Sequence, residues 1–433
     1  MGRSLIVLLL WLFLLIGAIG TGRALFYNLW YLLTVLLASS YLWAWSGIRW
    51  VRVQRLTRTA RSQVSKMAEE RLVVHNRGWI PKLWLEVRDH STLPGHRISR
   101  VIHSLGARKK FAWTVKTRCT QRGRFTLGPL SLTSGDPFGL FTMSRQLVEP
   151  RLRTFIVYPA TVDVPAFAPL VGYLPGGDAM RRRTSYVTTN VAGVRDYAPG
   201  DSFNRIHWPS TARTGRLISK EFELDPTTDV WLFLDLDRSV HVESPWASFP
   251  DQHRLRLPWE YSTRLELLPS TVEYAVTIVA SLAKHFIARD RAVGLVAYCL
   301  RREIIPADRG ERQLTKILET LAVLQAEGGI PFREVIAAEG AHLSRNTTVI
   351  LVTSATHQGW ITAAHNMNQR GIRTVAVVIE SHSFGHVHSN EGAITELAVS
   401  GIPAYLVREG DDLAEALAQP QAQTVASIGY QLG

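Results

Sequence analysis

With 433 residues, 46% of them hydrophobic, and a formal charge of +13, the chain is long enough for two or three domains and too apolar for a disordered one. Its two cysteines, Cys119 and Cys299, exclude a disulfide-built secreted scaffold, suit a reducing compartment and give no metal-ligand spacing. The patterns G-x-x-x-x-G-K-[ST], G-x-S-x-G and H-E-x-x-H do not occur, so ATP hydrolysis and the commonest hydrolytic chemistries have no sequence support.

The chain opens on two apolar runs, residues 5–19 and residues 24–45, separated by a polar break at residues 21–23. About 20 apolar residues span a bilayer core, so the second run is expected to cross a membrane and the slightly shorter first run to pair with it, giving a transmembrane helical hairpin over residues 1–48. A signal peptide, with Arg3 as its basic start and residues 18–20 as its cleavage site, is the competing reading of the first run. Trp30, Tyr31, Tyr41, Trp43 and Trp45 suit interfacial positions. After the second run come Arg49, Arg52, Arg55, Arg58 and Arg61, with no acid before Glu69. By the positive-inside rule the soluble part then faces the cytoplasm, as part of a multi-pass protein of the cell membrane.

Residues 62–160 read as a β-sandwich-like domain. LWLEV, FAWTV, RFTLGPLSL and RTFIVYP place apolar side chains at every second position, and Asn76-Arg77-Gly78, Leu93-Pro94-Gly95 and Ser134-Gly135-Asp136-Pro137 punctuate them. Between Asp89 and Asp136 there is no acidic residue, while Arg97, Arg100, Arg108, Lys109, Lys110, Lys116, Arg118, Arg122 and Arg124 accumulate. Contact with anionic lipid is the expected use of that charge, at roughly 1 kcal/mol per basic residue near the surface. Nucleic-acid binding is not expected, since no recognised binding motif accompanies the charge.

Residues 161–228 are a linker followed by a dense motif. The linker carries Pro165, Pro169, Pro175, Gly176, Gly177 and the triplet Arg181-Arg182-Arg183. The motif, GVRDYAPGDSFNRIHWPSTARTGRLISKEF, fixes Arg195, Asp196, Tyr197, Gly200, Asp201, Arg205, His207, Trp208, Ala212 and Arg213. It resembles the signature of the domain of unknown function 58 family, with Thr211 where the family usually has Ser. The segments RGRFTLGPLSLTSGDPFGLF and FIVYP also resemble the part of that family preceding its signature. A plainer reading makes Pro199-Gly200-Asp201 a tight turn, pairs Arg195, Arg205 and Arg213 with Asp196, Asp201 and Glu221, and uses Trp208 as a packing anchor.

From residue 229 to 433 strands and helices alternate. VWLFLDLD, AVGLVAYCL, TTVILVTS, TVAVVIE and PAYLVRE are near-continuous apolar strands, and residues 270–289, 311–325, 332–343, 359–370 and 411–417 are amphipathic helices. That pattern means a doubly wound α/β domain with a mostly parallel sheet. The family resemblance implies a von Willebrand A-like domain, here with an insertion at residues 241–269.

In such sheets ligands gather at the carboxyl ends of the strands. The metal-ion-dependent adhesion site of the resembled fold uses Asp-x-Ser-x-Ser there, a Thr from a second loop and an Asp from a third. This chain has Asp235, Asp237 at the middle position and Ser239; its second loop is Gly328-Gly329-Ile330 and its third Thr353-Ser354-Ala355. No cofactor is expected, beyond Mg²⁺ held weakly by Asp235, Asp237 and Ser239; otherwise these are strand-end polar groups that bond the loops.

The resemblance implies a non-enzymatic interaction or scaffold protein working beside a MoxR-type AAA+ ATPase. Arg195, Tyr197, Asp201, Arg205, His207, Trp208 and Arg213 would then form the partner-binding surface. The rival reading is an enzyme acting on cell-envelope precursors, with Asp201, His207, Asp235 and Asp237 as acid-base or metal groups.

Overall fold

The computed structural model describes residues 2–57, 60–147, 153–167, 183–184, 191–198, 206–223, 229–243, 267–345 and 347–420. Two compact units divide the chain: residues up to Ala160 make up most of the first, and most residues from Thr161 on belong to the second.

The first unit begins with helices α1 (Gly2–Thr21) and α2 (Ala24–Ile48). Gly22, at φ +61°, turns one into the other. They pack on each other through Trp11, whose Nε1–H donates to Thr34 Oγ1 at 2.7 Å and whose ring lies 5.7 Å from that of Trp30. Among the described residues α2 is the one helix long and apolar enough to cross a membrane, while the apolar stretch of α1, Leu5–Thr21, is shorter.

Ten strands follow: β1 (Val51–Thr57), β2 (Arg61–Gln63), β3 (Met67–Asn76), β4 (Leu85–Asp89), β5 (Arg100–Ile102), β6 (Lys110–Arg118), β7 (Gly123–Leu127), β8 (Leu130–Gly135), β9 (Thr142–Leu147) and β10 (Arg153–Tyr158). They form sheets ordered β1-β3-β6, β5-β4-β8-β9 and β2-β10-β7. Leu72, Val74 and Trp113 from the first sheet share one core with Leu85, Val87, Leu130 and Leu132 from the second, so the alternation read in FAWTV and in the last three residues of LWLEV faces inward, while Leu83 is exposed. The sheet structure starts at Val51 rather than at residue 62. The reason is Arg55, which breaks the apolar alternation of β1 in sequence yet points inward, where its guanidinium pairs with Glu70 and Asp89. It is therefore not one of the surface charges flanking the apolar span.

The basic run is also not one patch. Lys110 is paired with His75 at one end of β3, and Arg118 with Met67 at the other. Strand β6 thus spreads the charge along its length.

In the second unit β11 (Arg183–Thr184), β12 (Val191–Asp196), α3 (Trp208–Thr214) and β13 (Ile218–Glu223) precede an alternating series. That series is β14 (Val230–Leu234), α4 (Thr271–Ile287), β15 (Val293–Tyr298), β16 (Arg302–Asp308), α5 (Glu311–Val323, of which residues from Leu318 on count with the first unit), α6 (Phe332–Gly340), β17 (Thr348–Thr353), α7 (Gly359–Gln369), β18 (Arg373–Ile379), α8 (Glu391–Val399), β19 (Ala404–Val407) and α9 (Leu413–Ala416). The six-stranded sheet runs β16-β15-β14-β17-β18-β19, with β16 antiparallel to β15 and the other pairs parallel. Strand β16 was not legible as a strand because RREIIPAD carries too much charge and a proline, features an edge strand tolerates. Strand β17 is buried throughout, as its unbroken apolar run requires. Phe233, Val349, Leu351, Trp360 and Val378 meet in the core on one side of the sheet.

Candidate functional site

Strand order places the site. Chain order leaves the sheet in one direction from β14 to β15 and in the other from β14 to β17, and such a reversal opens a crevice beyond the strand ends. Asp235 follows β14 and Thr353 ends β17, so the two residues border that crevice.

Asp235 is buried, and both its oxygens accept hydrogen bonds from the protein. Oδ1 accepts from Asp237 N–H at 3.1 Å and Oδ2 from the Thr353 hydroxyl at 2.6 Å. Desolvation pushes its pKa from 3.8 up to about 7; the bonds from Thr353 and Asp237 only partly offset it. Asp237 Oδ1 accepts from Ser239 N–H at 3.0 Å. The Asp-x-Asp-x-Ser order therefore builds two successive side-chain-to-backbone turns, each carboxylate fastening the amide two residues on.

Thr353 is a member that the sequence pattern does not single out, since a Thr at the third loop lacks the carboxylate of the resembled site. His241 is another. Its Nε2 lies 2.9 Å from the Asp235 carbonyl, which can only accept, so Nε2 carries the proton there; Nδ1 lies 3.0 Å from Thr271 Oγ1. Asn390 completes the edge: its Nδ2 donates to the Ser354 and Ala355 carbonyls at 3.1 and 2.9 Å, and its Oδ1 accepts from Ser381 N–H at 3.0 Å. A lone Asn or His carries no spacing signal, so neither was legible before the loops were placed.

The second loop explains its own missing threonine. Gly328 donates to the Leu236 carbonyl at 3.0 Å and accepts from Arg238 N–H at 2.9 Å. A Cβ there would sit 2.6 Å from the Tyr298 carbonyl oxygen and 2.7 Å from that of Leu236. The backbone itself presses on the Asp237 turn, and only glycine fits.

A resident Mg²⁺ is a poor fit to this donor set. A hard cation takes six or more oxygens with carboxylates among them. Here Asp235 already accepts from protein donors with both oxygens.

The signature segment folds around a helix inserted between two paired strands. Arg195 in β12 pairs with Ser219 in β13. Tyr197 N–H donates to Leu217 O at 2.9 Å and His207 N–H to Ile218 O at 2.8 Å, fastening both ends of the excursion to β13. His207 occupies the N-cap position of α3 without a side-chain bond to the helix backbone, and its Nδ1 lies 2.7 Å from Ser210 Oγ. Thr211, the departure from the family's Ser, keeps the hydroxyl at work: its Oγ1 accepts from Ile218 N–H at 3.1 Å. Asp201 and Arg205 lie outside the described residues.

Trp208 is not a packing anchor. It is 63% exposed, and α3 has no buried residue; Arg213 in its last turn is exposed as well.

One comparison with known proteins falls on this part of the chain. The family model described as "Protein of unknown function DUF58" matches residues 193–248, which join the signature, β14 and the Asp235 loop. The uncharacterized protein YeaD of Bacillus subtilis (strain 168) is 25% identical over 163 residues; the match takes in 37% of this chain, which thus spans 33% of that relative's length. Among solved structures, a CARDB domain from Pyrococcus furiosus is 21% identical, with 25% of this chain and 91% of that one covered at a TM-score of 0.19. The pilus adhesin SpaC from Lactobacillus rhamnosus GG, in its open conformation, is 9% identical, with 48% and 30% covered at 0.30. Scores that low carry no argument, and the fold stands on its own strand order. The residues fixed in the motif, the strand that follows it and the family-model match over both support assignment of this segment to the DUF58 family.

Proposed function

We propose that the protein is a membrane-anchored interaction protein. Its hairpin α1–α2 is embedded in the cell membrane, and its α/β unit is von Willebrand A-like and faces the cytoplasm as an adaptor for a MoxR-type AAA+ ATPase. The observation that carries the reading is the exposure of α3. Within the matched segment, Trp208 and Arg213 project from a short helix tied to β13 through the His207 N–H and the Thr211 hydroxyl, and an exposed tryptophan and arginine are the residue types that dominate binding hot spots. Arg195, Tyr197, Asp201, Arg205 and His207 complete the docking segment in this reading. The sheet order and the antiparallel edge strand β16 support the von Willebrand A-like assignment, and the arginines after α2 support the cytoplasmic side.

The enzymatic alternative on cell-envelope precursors would draw on Asp235, a carboxyl that titrates near neutrality at the sheet's crevice. Its bonds to Thr353 and Asp237 favour loop fastening over proton transfer.

The test is co-purification of the full-length protein from detergent-solubilised membranes with an ATP analogue and Mg²⁺, followed by mass spectrometry. Enrichment of an AAA+ ATPase, lost in Trp208→Ala and Arg213→Ala variants of unchanged near-UV circular dichroism, supports the adaptor. Retention of that ATPase by both variants moves the docking surface elsewhere, and its absence from the wild-type preparation removes the adaptor reading.

A further inference from the structure

One rim of the first unit combines exposed aromatic side chains with basic ones, and it lies where α2 ends. Trp79 is 76% exposed and Phe138 60%; Trp50, Ile80, Leu83 and Trp84 are exposed beside them. Arg49, Arg77, Arg108 and Lys109 share the rim. The Arg108 guanidinium lies 3.6 Å from the centre of the Trp79 ring, and that of Arg49 lies 4.4 Å from the centre of the Trp45 ring. Within residues 45–51, 76–84, 103–110 and 136–141 the only carboxylate is Asp136. That group is occupied in shaping the turn that presents Phe138, accepting from Phe138 N–H at 2.9 Å and from Phe141 N–H at 2.6 Å.

The rim is fixed to the helix. Arg77 N–H donates to Trp50 O at 2.8 Å, which joins the β3–β4 loop to the residue just past α2. Lys82 is buried with its ammonium bonded to the Ser46 carbonyl, a cation on the open carbonyl end of the helix. Gly47 leaves no room for a Cβ against the Ser134 side chain, and Ser134 Oγ donates to Trp84 O at 2.6 Å. Phe141 packs edge-on against Tyr41, ring centres 5.7 Å apart. Tyr41 lies about 10 Å up the helix from Ile48 at 1.5 Å per residue, so the Phe138 turn sits alongside α2 rather than beyond its end.

Length then sets depth. The 25 residues of α2 are about 37 Å long, against a hydrocarbon core of about 30 Å. The surplus of about 7 Å puts the last turns of α2 in the headgroup layer, and the burial of Ser40, Ala44, Ser46 and Gly47 shows which protein surface accompanies them there. Tryptophan with arginine is the composition that layer selects.

Resting on the membrane-anchored reading above, we propose that this rim is itself a lipid-binding surface, seated in the headgroup layer with Trp79 and Phe138 inserted between lipids. The occupant is the bilayer surface around α2. The far ends of β3 and β6, about 30 Å away along the strands at 3.4 Å per residue, stand clear of it. Lys116, Arg118 and the basic residues beyond them are then not part of the contact.

The experiment uses the full-length chain in a Cys299→Ser background, in which buried Cys119 is to be shown unlabelled. Single cysteines replace Phe138, Trp79, Met67 and Val35, all exposed positions, and carry an environment-sensitive fluorophore. Each protein is reconstituted in phosphatidylcholine and phosphatidylglycerol nanodiscs containing lipid spin-labelled at the headgroup or at mid-chain. The expected result is that the headgroup label quenches the Phe138→Cys and Trp79→Cys probes at least twofold more than Met67→Cys, while the mid-chain label quenches Val35→Cys. Val35→Cys quenched with Phe138→Cys and Trp79→Cys no more affected than Met67→Cys overturns the proposal and leaves the membrane span standing. An unquenched Val35→Cys overturns both.

Discussion

Two sets of buried carboxylates, one in each unit, are held by opposite means. In the β unit Glu70 and Asp89 meet ionic partners: Arg55 Nε lies 2.7 Å from Glu70, its Nη2 pairs with Asp89, and His96 Nε2 lies 2.8 Å from the other oxygen of Glu70. In the α/β unit Asp235 accepts from an amide and a hydroxyl, both neutral donors. Neutral donors do not replace the hydration of a carboxylate, and its pKa rises to about 7 accordingly. The β cluster fixes charge in the core; the sheet edge tolerates its loss.

The comparison breaks most visibly at Arg55. Arg55→Met removes the guanidinium that Glu70 and Asp89 share, leaving two buried carboxylates, and is expected to destabilise the β unit by about 3–5 kcal/mol. Thermal unfolding in detergent, followed by the near-UV signal of tryptophan, measures it. A loss under about 1 kcal/mol would mean that water reaches the cluster.

At Asp235 the contrast becomes a dependence on pH. A carboxyl at about 7 when folded and 3.8 when unfolded takes up a proton on folding between those values. Its contribution therefore favours the folded state at low pH and falls as pH rises, the penalty being complete above the folded value. A tenfold difference in proton affinity between the folded and unfolded chain corresponds to about 1.4 kcal/mol, so the wild type should lose roughly 2–3 kcal/mol between about pH 5 and about pH 8 relative to Asp235→Asn. Parallel stability profiles for the two proteins would show that Asp235 is ionised throughout.

A smaller change tests whether the Asp237 turn is held by backbone pressure. Gly328→Ala places its Cβ against two carbonyl oxygens that cannot rotate away, and a loss of about 1–3 kcal/mol is expected in the α/β unit. Stability within about 0.5 kcal/mol of wild type would show that the loop is free to retreat.

The apolar alternation of residues 85–87 and 111–115 and the unbroken runs of β14, β17 and β18 were readable because burial on one or both faces leaves a period in the sequence. Arg55 and β16 were not, since an inward charge or a charged edge strand reverses the sign of that signal. The carboxylates Asp235 and Asp237 were found by their place at a strand end. Thr353 and Gly328 come from two other segments, and only the register of β14 beside β17 and the closure of the Gly328 loop bring them to Asp235, while His241, six residues on, turns back to the Asp235 carbonyl. Resemblance to a metal site also drew attention to what the third loop lacks, the carboxylate, rather than to the hydroxyl it supplies.

The smallest expected effect on stability separates the edge from the signature. Trp208 is mostly exposed on a helix with no buried residue, so Trp208→Ala should change the unfolding midpoint of the α/β unit by an amount equivalent to less than about 0.5 kcal/mol, against the larger losses at Arg55, Asp235 and Gly328. A tryptophan whose removal costs the fold nothing is available to a partner, and one whose removal costs about 2 kcal/mol or more, approaching the scale of a truncated core aromatic, is part of the packing after all. Scanning calorimetry of the purified variant decides between the two, and only the first outcome leaves α3 free to act as a docking surface.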